Sequence, residues 1–341
     1  MKNKDYEIVE LSLCTKIKEA KDLPGDFRSV QGEYVIPKLT RTGFYKPNGY
    51  MLGSYYDADI RELLSSEILG LLDEPSADIA LAKNGNENGC FSLNILKENE
   101  KFVEVSEYKE GVPYSQEHLK MYIERDIAQV GKLPGITQEF LEKRRQYLPK
   151  MLYVYALLSN ADIKQDNMQP ILNEKTGEYR NSEFYDGGLS YINHGSNIFF
   201  MNMTAEELML KLFQDYYPYI VDTAQKANEQ LTDEKINDIF NNPVYIDRFA
   251  SQLENVKNVL MKMRDVSSKL YSDKMANREP ELPKTENDSI KANGITMSDM
   301  RDLNITINID SKDKSGGAIK GIFSYFMDHM RGRNNDGDVS R

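Results

Sequence analysis

Short segments in the first third of the chain alternate apolar and polar residues, which is the two-residue period of half-buried strands. The segments with this pattern are residues 7–14 and 100–108, and residues 33–39, 77–82 and 90–96 are also predicted to be strands. A further short aromatic strand is predicted to end on Lys46, and residues 83–89 are predicted to be a turn-forming loop. Apolar residues recur at three- and four-residue spacing over residues 60–72, which predicts one amphipathic helix among these strands.

From about residue 115 onward the periodicity becomes helical. Ser115 is predicted to cap a helix that runs to residue 130, and Thr137 is predicted to cap a second helix. The continuation of the second helix, residues 147–158, is almost entirely apolar or aromatic, which favours a buried central position. Later helix-start signals and long helical runs begin at Thr204, Thr232, Asn242 and residue 247.

The change from strands to helices predicts an α+β protein with two lobes. We expect a small β-rich N-lobe with one helix over residues 1–111 and a larger helical C-lobe over residues 112–272. Residues 273–341 are predicted to be a linker and tail, because the first part of this segment has too few apolar residues to pack by itself. In the tail, a short strand is predicted at 303–309 and an amphipathic helix at 316–330, which would dock most readily on protein.

Charge and cysteine content exclude several function classes. The formal net charge of −11 argues against a general nucleic-acid or acidic-membrane binder, because attraction to phosphate needs a basic face. The two cysteines, Cys14 and Cys90, lie far apart, so we expect neither a disulfide framework nor a structural zinc. No stretch approaches the ~18–20 apolar residues of a transmembrane helix, and the first residues lack the apolar core of a signal peptide. These features favour a cytoplasmic protein, with export as an effector left open.

A polar cluster follows the apolar run of residues 147–158. Asp162, Lys164 and Asn167 stand at relative positions 0, +2 and +5, and an Asp-Gly pair follows at Asp186. Phosphoryl transfer from ATP needs such a set: a carboxylate for the incoming hydroxyl, a lysine for the γ-phosphate, and an amide and a carboxylate for Mg²⁺. A hairpin predicted over residues 168–185 would bring Asn167 and Asp186 together.

These motifs resemble those of a known family. Residues 162–167 are similar to the catalytic loop of protein kinases, and residues 186–188 resemble their metal-binding Asp-Phe-Gly, with Gly187 in place of Phe. Asn160 and Ala161 stand where the loop commonly has His-Arg. Together with the polar insertion at 173–183, this pattern is more similar to the HipA-like bacterial serine/threonine kinases. That family includes toxins of toxin–antitoxin pairs and cell-translocating kinases, and the resemblance covers roughly residues 25–200.

The resemblance implies a two-lobed protein-kinase-like fold that uses ATP and Mg²⁺. Asp162 and Lys164 would be catalytic, and Asn167 and Asp186 would be the metal ligands. Lys46 would contact the α/β-phosphates and be steadied by a glutamate on the following helix, with Glu62 favoured over Glu67. Further residues expected beside the nucleotide are Ser29 and Gln31 near the phosphates, and Val105, Glu107 and Tyr108 near the adenine.

The acceptor and the partners are less sharply defined. The resemblance implies a protein serine/threonine acceptor; a small-molecule or lipid kinase, or a pseudokinase used as a binding module, are the alternatives. Fewer than fifty residues precede Lys46, so a toxin's N-terminal subdomain would be missing or carried by a partner, and an antitoxin is a further candidate partner. Ser190 and Ser196 are candidate self-phosphorylation sites in an activation-type loop.

Overall fold

The computed structural model describes residues 8–19, 31–48, 57–105, 118–163, 165–192 and 203–280. All of these residues lie within one compact unit. In this part of the chain, no helix combines the length and the hydrophobicity that are needed to cross a bilayer.

A six-stranded sheet occupies the N-terminal part of the described chain. Its strands are β1 (Val9–Glu10), β2 (Thr15–Glu19), β3 (Gly32–Ile36), β4 (Arg41–Pro47), β5 (Ile79–Asn84) and β6 (Glu87–Leu93). Their spatial order is β1-β5-β6-β4-β3-β2, and all neighbours are antiparallel except the pair β1–β5.

The side chains of strand β4 alternate between the two faces of this sheet. Tyr45 is fully buried, and its ring packs against Phe91, with 5.4 Å between the centroids. Because successive side chains on a strand point to opposite faces, Lys46 faces the other way, toward the helix described next. The alternation in β4 therefore places Tyr45 in the aromatic core on one face of the sheet and the ammonium of Lys46 on the other face.

Helix α1 (Ala58–Leu71) packs on β5 and β6. Ile60, Leu64 and Ile68 recur at helical spacing and are fully buried, which is why this segment folds as a helix on the sheet. This confirms the single helix that the sequence predicts among the strands.

The helical part is built around α3. Its helices are α2 (His118–Val130), α3 (Gln138–Leu157), α4 (Ala205–Asp215), α5 (Tyr217–Gln230), α6 (Asp233–Phe240), α7 (Pro243–Phe249) and α8 (Leu253–Met275). Helix α3 contacts α2, α4, α5 and α8, and its C-terminal half is buried, as predicted. Thr137 caps α3 by accepting from the backbone N–H of Phe140, and Thr204 forms a capping box with Glu207 at α4.

A second, smaller sheet consists of β7 (Glu100–Phe102), β8 (Pro170–Asn173) and β9 (Tyr179–Asn181), all antiparallel in the order β7-β8-β9. Strands β8 and β9 form the predicted hairpin. Arg180 of β9 forms an ion pair with Glu100 of β7. Its Nε and Nη2 donate to the two carboxylate oxygens of Glu100 at 2.9 and 2.8 Å. Strand β7 therefore joins the hairpin and not the N-terminal sheet.

The predicted α+β class, with one helix in a strand-rich half and a helical half beyond it, is confirmed. Several element boundaries are corrected. The strand expected at 7–14 ends at Glu10, because Leu11–Leu13 form a 3-10 turn. The strand expected at 33–39 ends at Ile36, where Pro37 begins another such turn.

Other corrections concern the loops and the longest helix. The loop expected at 83–89 is mostly strand, since β5 and β6 extend to Asn84 and from Glu87. The run expected from residue 247 is split, because Ala250 has φ 45° and α8 starts at Leu253. Of the strand expected at 100–108, the part that the structure describes, residues 100–105, is strand over Glu100–Phe102 alone. The tail elements and Ser115 lie outside the described residues, and the lobe boundaries stay a prediction.

Candidate active site

Three charged side chains that the sequence places in one site meet between β4, α1 and the segment after β9. The Nζ of Lys46 donates to Glu62 Oε1 at 2.6 Å and to Asp186 Oδ1 at 2.9 Å. Asp186 is 140 residues from Lys46 in the chain, so only the fold brings them together. The side chain of Glu62 is 4% exposed, whereas those of Lys46 and Asp186 keep 16% and 19% of their surface open to solvent.

The electrostatics of this cluster keep the lysine protonated. Burial by itself lowers the pKa of Lys46, but the carboxylates of Asp186 and Glu62 outweigh it and raise the pKa above its usual 10.5. Burial raises the pKa of Glu62, and the charge of Asp186 adds to this while Lys46 opposes it. Two carboxylates around one ammonium leave the cluster with an excess of negative charge when all three are ionised, which suits a neighbouring cation.

Gly187 completes the cluster through its backbone. Its N–H donates to Glu62 Oε2 at 2.8 Å, so one carboxylate joins β4 to the segment that carries Asp186. A Cβ at position 187 would lie 2.8 Å from both Cβ and Oγ of Ser65, a distance so short that the neighbouring atoms would have to shift. Glycine at this position therefore permits α1 to pack closely against this segment.

The alternative glutamate faces a different element. The carboxylate of Glu67 accepts from the hydroxyl of Tyr245 in α7 at 2.5 Å. Of the two glutamates that the sequence offers as partners for Lys46, the structure brings Glu62 to the lysine.

Asn160, three residues beyond the end of α3, links the loop that carries Asp162 to the segment that carries Asp186. The backbone N–H of Asp162 donates to Asn160 Oδ1 at 2.8 Å. The Nδ2 of Asn160 donates to the backbone carbonyl of Asp186 at 3.2 Å and to Ser190 Oγ at 3.1 Å. The sequence singles out Asn160 only as a departure from His-Arg. A polar amide ending a long apolar run was the available signal, because a buried amide must find hydrogen-bond partners.

Asn167 lies in the 3-10 helix Gln165–Met168 and closes the loop back on itself. Its Nδ2 donates to the backbone carbonyl of Asp162 at 3.0 Å. The backbone carbonyl of Asn167 accepts from the hydroxyl of Tyr155 at 3.3 Å. Its amide nitrogen is used in this way, so the side-chain oxygen is the atom suited to a metal ion.

Asp186 has an unusual backbone. Its φ of 65° lies in the left-handed region, which is uncommon for residues other than glycine and clusters at functional sites. A carboxylate from Asp186 and an amide oxygen from Asn167 are the hard oxygen donors that Mg²⁺ prefers, and this ion takes its other ligands from phosphate and water. Among the described residues, no group of three or more His, Cys, Asp or Glu could hold a metal.

The remaining predicted site residues divide into described and undescribed ones. Gln31 donates its backbone N–H to Tyr45 O at 2.9 Å and so extends the β3–β4 pairing. Val105 is buried, and its side chain packs with Val130 and Phe140. The predicted residues that lie outside the described part of the chain are Ser29, Lys164, Glu107 and Tyr108.

Of the two candidate self-phosphorylation sites, the structure describes Ser190. Ser190 is fully buried and its hydroxyl is close to the Asn160 amide, so it is not presented to an active site in this conformation. Ser196 lies outside the described residues.

A lysine on a sheet strand, its glutamate on the adjacent helix, and an Asp-Gly segment beyond a loop that follows a buried helix form the arrangement of a protein-kinase-like fold. No protein-family model matches the chain. No curated protein matches it either. Among solved structures, the chain is similar to the crystal structure of the Helicobacter pylori proinflammatory kinase CtkA, with 12% identity and a TM-score of 0.48, over 78% of this chain and 98% of that one. That similarity is too low to assign a family or an activity.

Proposed function

We propose that the chain is an ATP- and Mg²⁺-dependent kinase of the HipA-like serine/threonine type. The observation that carries this proposal is the double contact of Lys46 with Glu62 and Asp186. In kinases, a strand lysine paired with a helix glutamate and a carboxylate that ligates Mg²⁺ must both be in place for phosphoryl transfer.

Each residue of the site has a role in this proposal. Lys46 binds the α/β-phosphates, and Glu62 holds its ammonium in position. Asn167 and Asp186 hold Mg²⁺, which neutralises phosphate charge when it is bound. Asp162 orients or deprotonates the acceptor hydroxyl. Lys164 neutralises charge on the γ-phosphate.

We further propose that the acceptor is a serine or threonine hydroxyl of a protein. Asp162, the residue assigned to the acceptor, is only half-buried. An antitoxin, or a chain that carries an N-terminal subdomain, is the further proposed partner.

A transfer assay tests this function. The purified chain is incubated with Mg²⁺ and ATP labelled in the γ-phosphate, alone and with cell lysate, and labelled protein is detected. We expect labelling by the wild-type chain, and none by Asp162→Asn or Asp186→Asn variants that melt like the wild type. Unchanged labelling in either variant would overturn the site assignment. Stabilisation by Mg²⁺ and ATP without transfer to protein, small alcohols or lipid would indicate a pseudokinase.

A further inference from the structure

The first turn of α1 carries a carboxylate that is buried between two parts of the fold. Asp59 Oδ1 accepts from Asn48 Nδ2 at 2.7 Å, and Oδ2 accepts from Arg248 Nη1 at 2.9 Å. The backbone N–H of Asp59 donates to Asn48 Oδ1 at 3.0 Å, which makes the contact with Asn48 reciprocal. The side chains of Asp59 and Arg248 are 0% and 6% exposed. We call Asn48, Asp59 and Arg248 the α1 clamp.

The α1 clamp lies between the two elements that supply the lysine and its glutamate. Asn48 is two residues beyond Lys46, at the end of β4, and its backbone N–H is held by Asn88 O at 2.8 Å. Asp59 is three residues before Glu62 and so lies about one turn from it on α1. A bond between Asn48 and Asp59 therefore sets the separation of the two elements close to the Lys46–Glu62 pair.

Arg248 brings the helical part of the fold into this contact. It lies on α7, 189 residues from Asp59 in the chain. The same helix meets α1 again where the Arg61 guanidinium lies over the ring of Phe249, 6.0 Å from its centroid. Arg61 also donates to the backbone carbonyl of Ser190 at 2.5 Å, close to the Asp186 segment. Helix α1 is therefore held from both sides at its N-terminal turn.

The α1 clamp is not expected to contribute much to the free energy of folding. Burying two charges costs several kcal/mol of solvation per ion in typical cases, and apolar residues of similar size often serve folding equally well. Burial raises the pKa of Asp59 although Arg248 and Asn48 act in the opposite direction, so folding disfavours the ionised carboxylate. The Nη2 of Arg248 is buried without a partner among the described residues. A buried ion pair that adds little stability is explained if its role is to fix the position of α1 relative to β4 and α7.

We propose that Arg248 is a positioning residue for nucleotide binding, which acts through Asp59 to hold α1 where Glu62 reaches Lys46. The kinetic part of this inference rests on the proposed kinase function. Loss of the ion pair lets α1 shift, so that Glu62 leaves Lys46 and the phosphates of ATP are bound less tightly. The acceptor site is not part of this contact, so the KM for the acceptor stays unchanged.

Kinetics of three variants test the inference. Arg248→Gln and Asp59→Asn remove the ion pair but keep polar groups in place, and Arg248→Lys keeps the charge. We expect Arg248→Gln and Asp59→Asn to raise the KM for ATP about tenfold, with a smaller change in kcat, and Arg248→Lys to recover most of the loss. The matched control is Arg264→Gln. Arg264 is also buried and donates to Leu231 O and to Asp233, but it lies in α8, away from α1.

A second readout does not depend on enzymatic activity. The acylation rate of Lys46 by an amine-directed reagent is measured by mass spectrometry at pH 8, where the contacts with Glu62 and Asp186 and a side chain that is only 16% exposed restrict access of the reagent to the amine. We expect Lys46 to react several-fold faster in Arg248→Gln and Asp59→Asn than in the wild type or Arg264→Gln.

The two readouts separate failure of the inference from failure of the kinase proposal. If the wild-type chain transfers no phosphate, the Lys46 acylation rate still decides the role of Arg248. The inference is overturned if Arg248→Gln and Asp59→Asn both leave Lys46 as slow to react as in the wild type. It is also overturned if Arg264→Gln changes the KM for ATP or the acylation rate equally. If Arg248→Gln does not fold, Asp59→Asn alone decides in the same way.

Discussion

Gly187 and Lys46 share the carboxylate of Glu62: the backbone N–H of Gly187 donates to Oε2 at 2.8 Å and the Lys46 ammonium donates to Oε1 at 2.6 Å. One buried side chain therefore joins the strand, the helix and the Asp-Gly segment. This relationship makes the position of α1 a determinant of the whole site.

Gly187→Ala should push α1 away from the Asp-Gly segment. The added Cβ would lie 2.8 Å from Ser65 Cβ and Oγ, so we expect a loss of about 1–3 kcal/mol in the free energy of unfolding and a higher KM for ATP. Urea unfolding and steady-state kinetics measure the two effects. Ser65→Gly should partly restore the double variant, whereas Ser65→Ala should not, because it retains the clashing Cβ. Equal rescue by both would mean that the contact with Oγ, and not the one with Cβ, is the cause, and no rescue by Ser65→Gly would contradict the close contact as the cause.

Glu62→Gln should weaken nucleotide binding without unfolding the protein. It keeps an acceptor oxygen for Gly187 but removes the charge beside Lys46, and a hydrogen bond to a charged group is worth about 1.5–3 kcal/mol. We expect the KM for ATP to rise tenfold or more on that scale. Glu67→Gln is the control, because Glu67 contacts Tyr245 and not Lys46. A similar rise in both variants would contradict the assignment of Glu62.

Asn160→Ala should lower kcat more than it raises the KM for ATP. The variant loses the link between the Asp162 amide and the Asp186 carbonyl, so the acceptor-binding carboxylate and the metal ligand are no longer held together. We expect a drop in kcat of about 10². Ser190→Ala removes only one of the hydrogen bonds of Asn160 and should have a much smaller effect. If the order of the two effects is reversed, Ser190 and not Asn160 is the important member.

The contribution of Lys46 to stability should depend on pH only at alkaline pH. Its folded pKa is raised above 10.5, so the folded chain keeps the proton after the unfolded chain has lost it. The stabilisation is thus fully present below pH 10.5 and is lost as pH rises above it, by up to about 1.4 kcal/mol per pH unit. Lys46→Arg stays protonated in both states. The difference in unfolding free energy between the two chains should be constant from pH 8 to about pH 10 and then grow in favour of arginine. A difference that changes below pH 10 would contradict the raised pKa.

Local patterns predict much of this fold. The periodicity over residues 60–72 gives α1 because one face of that helix is buried on the sheet. Thr137 and Thr204 cap their helices with groups only three residues away. By contrast, Gly89 looked like part of a loop but lies in β6, where a Cβ would be 2.5 Å from Lys46 O. This glycine serves the close approach of two strands, which no local pattern reveals.

The candidate site divides along the same line. Asp162 and Asn167 were recognisable because their spacing along the chain is itself the motif, and Asp186 because glycines follow it directly. The contacts of Asn160 and Arg248 were not, since Asn160 contacts the backbone of a residue 26 positions away and Arg248 a side chain 189 positions away. Such contacts depend on how helices pack on the sheet, and the sequence around a residue does not name its partner across the fold.

Calorimetric titration of ATP tests the central claim most directly, because it asks whether the Lys46–Glu62–Asp186 cluster and Asn167 form a site for a nucleotide with its metal. The wild-type chain should bind ATP measurably in the presence of Mg²⁺ and at least tenfold more weakly in EDTA, and Asp186→Asn should abolish this dependence on Mg²⁺. Binding of ATP that is equally tight with and without Mg²⁺, and unchanged in Asp186→Asn, would contradict the account.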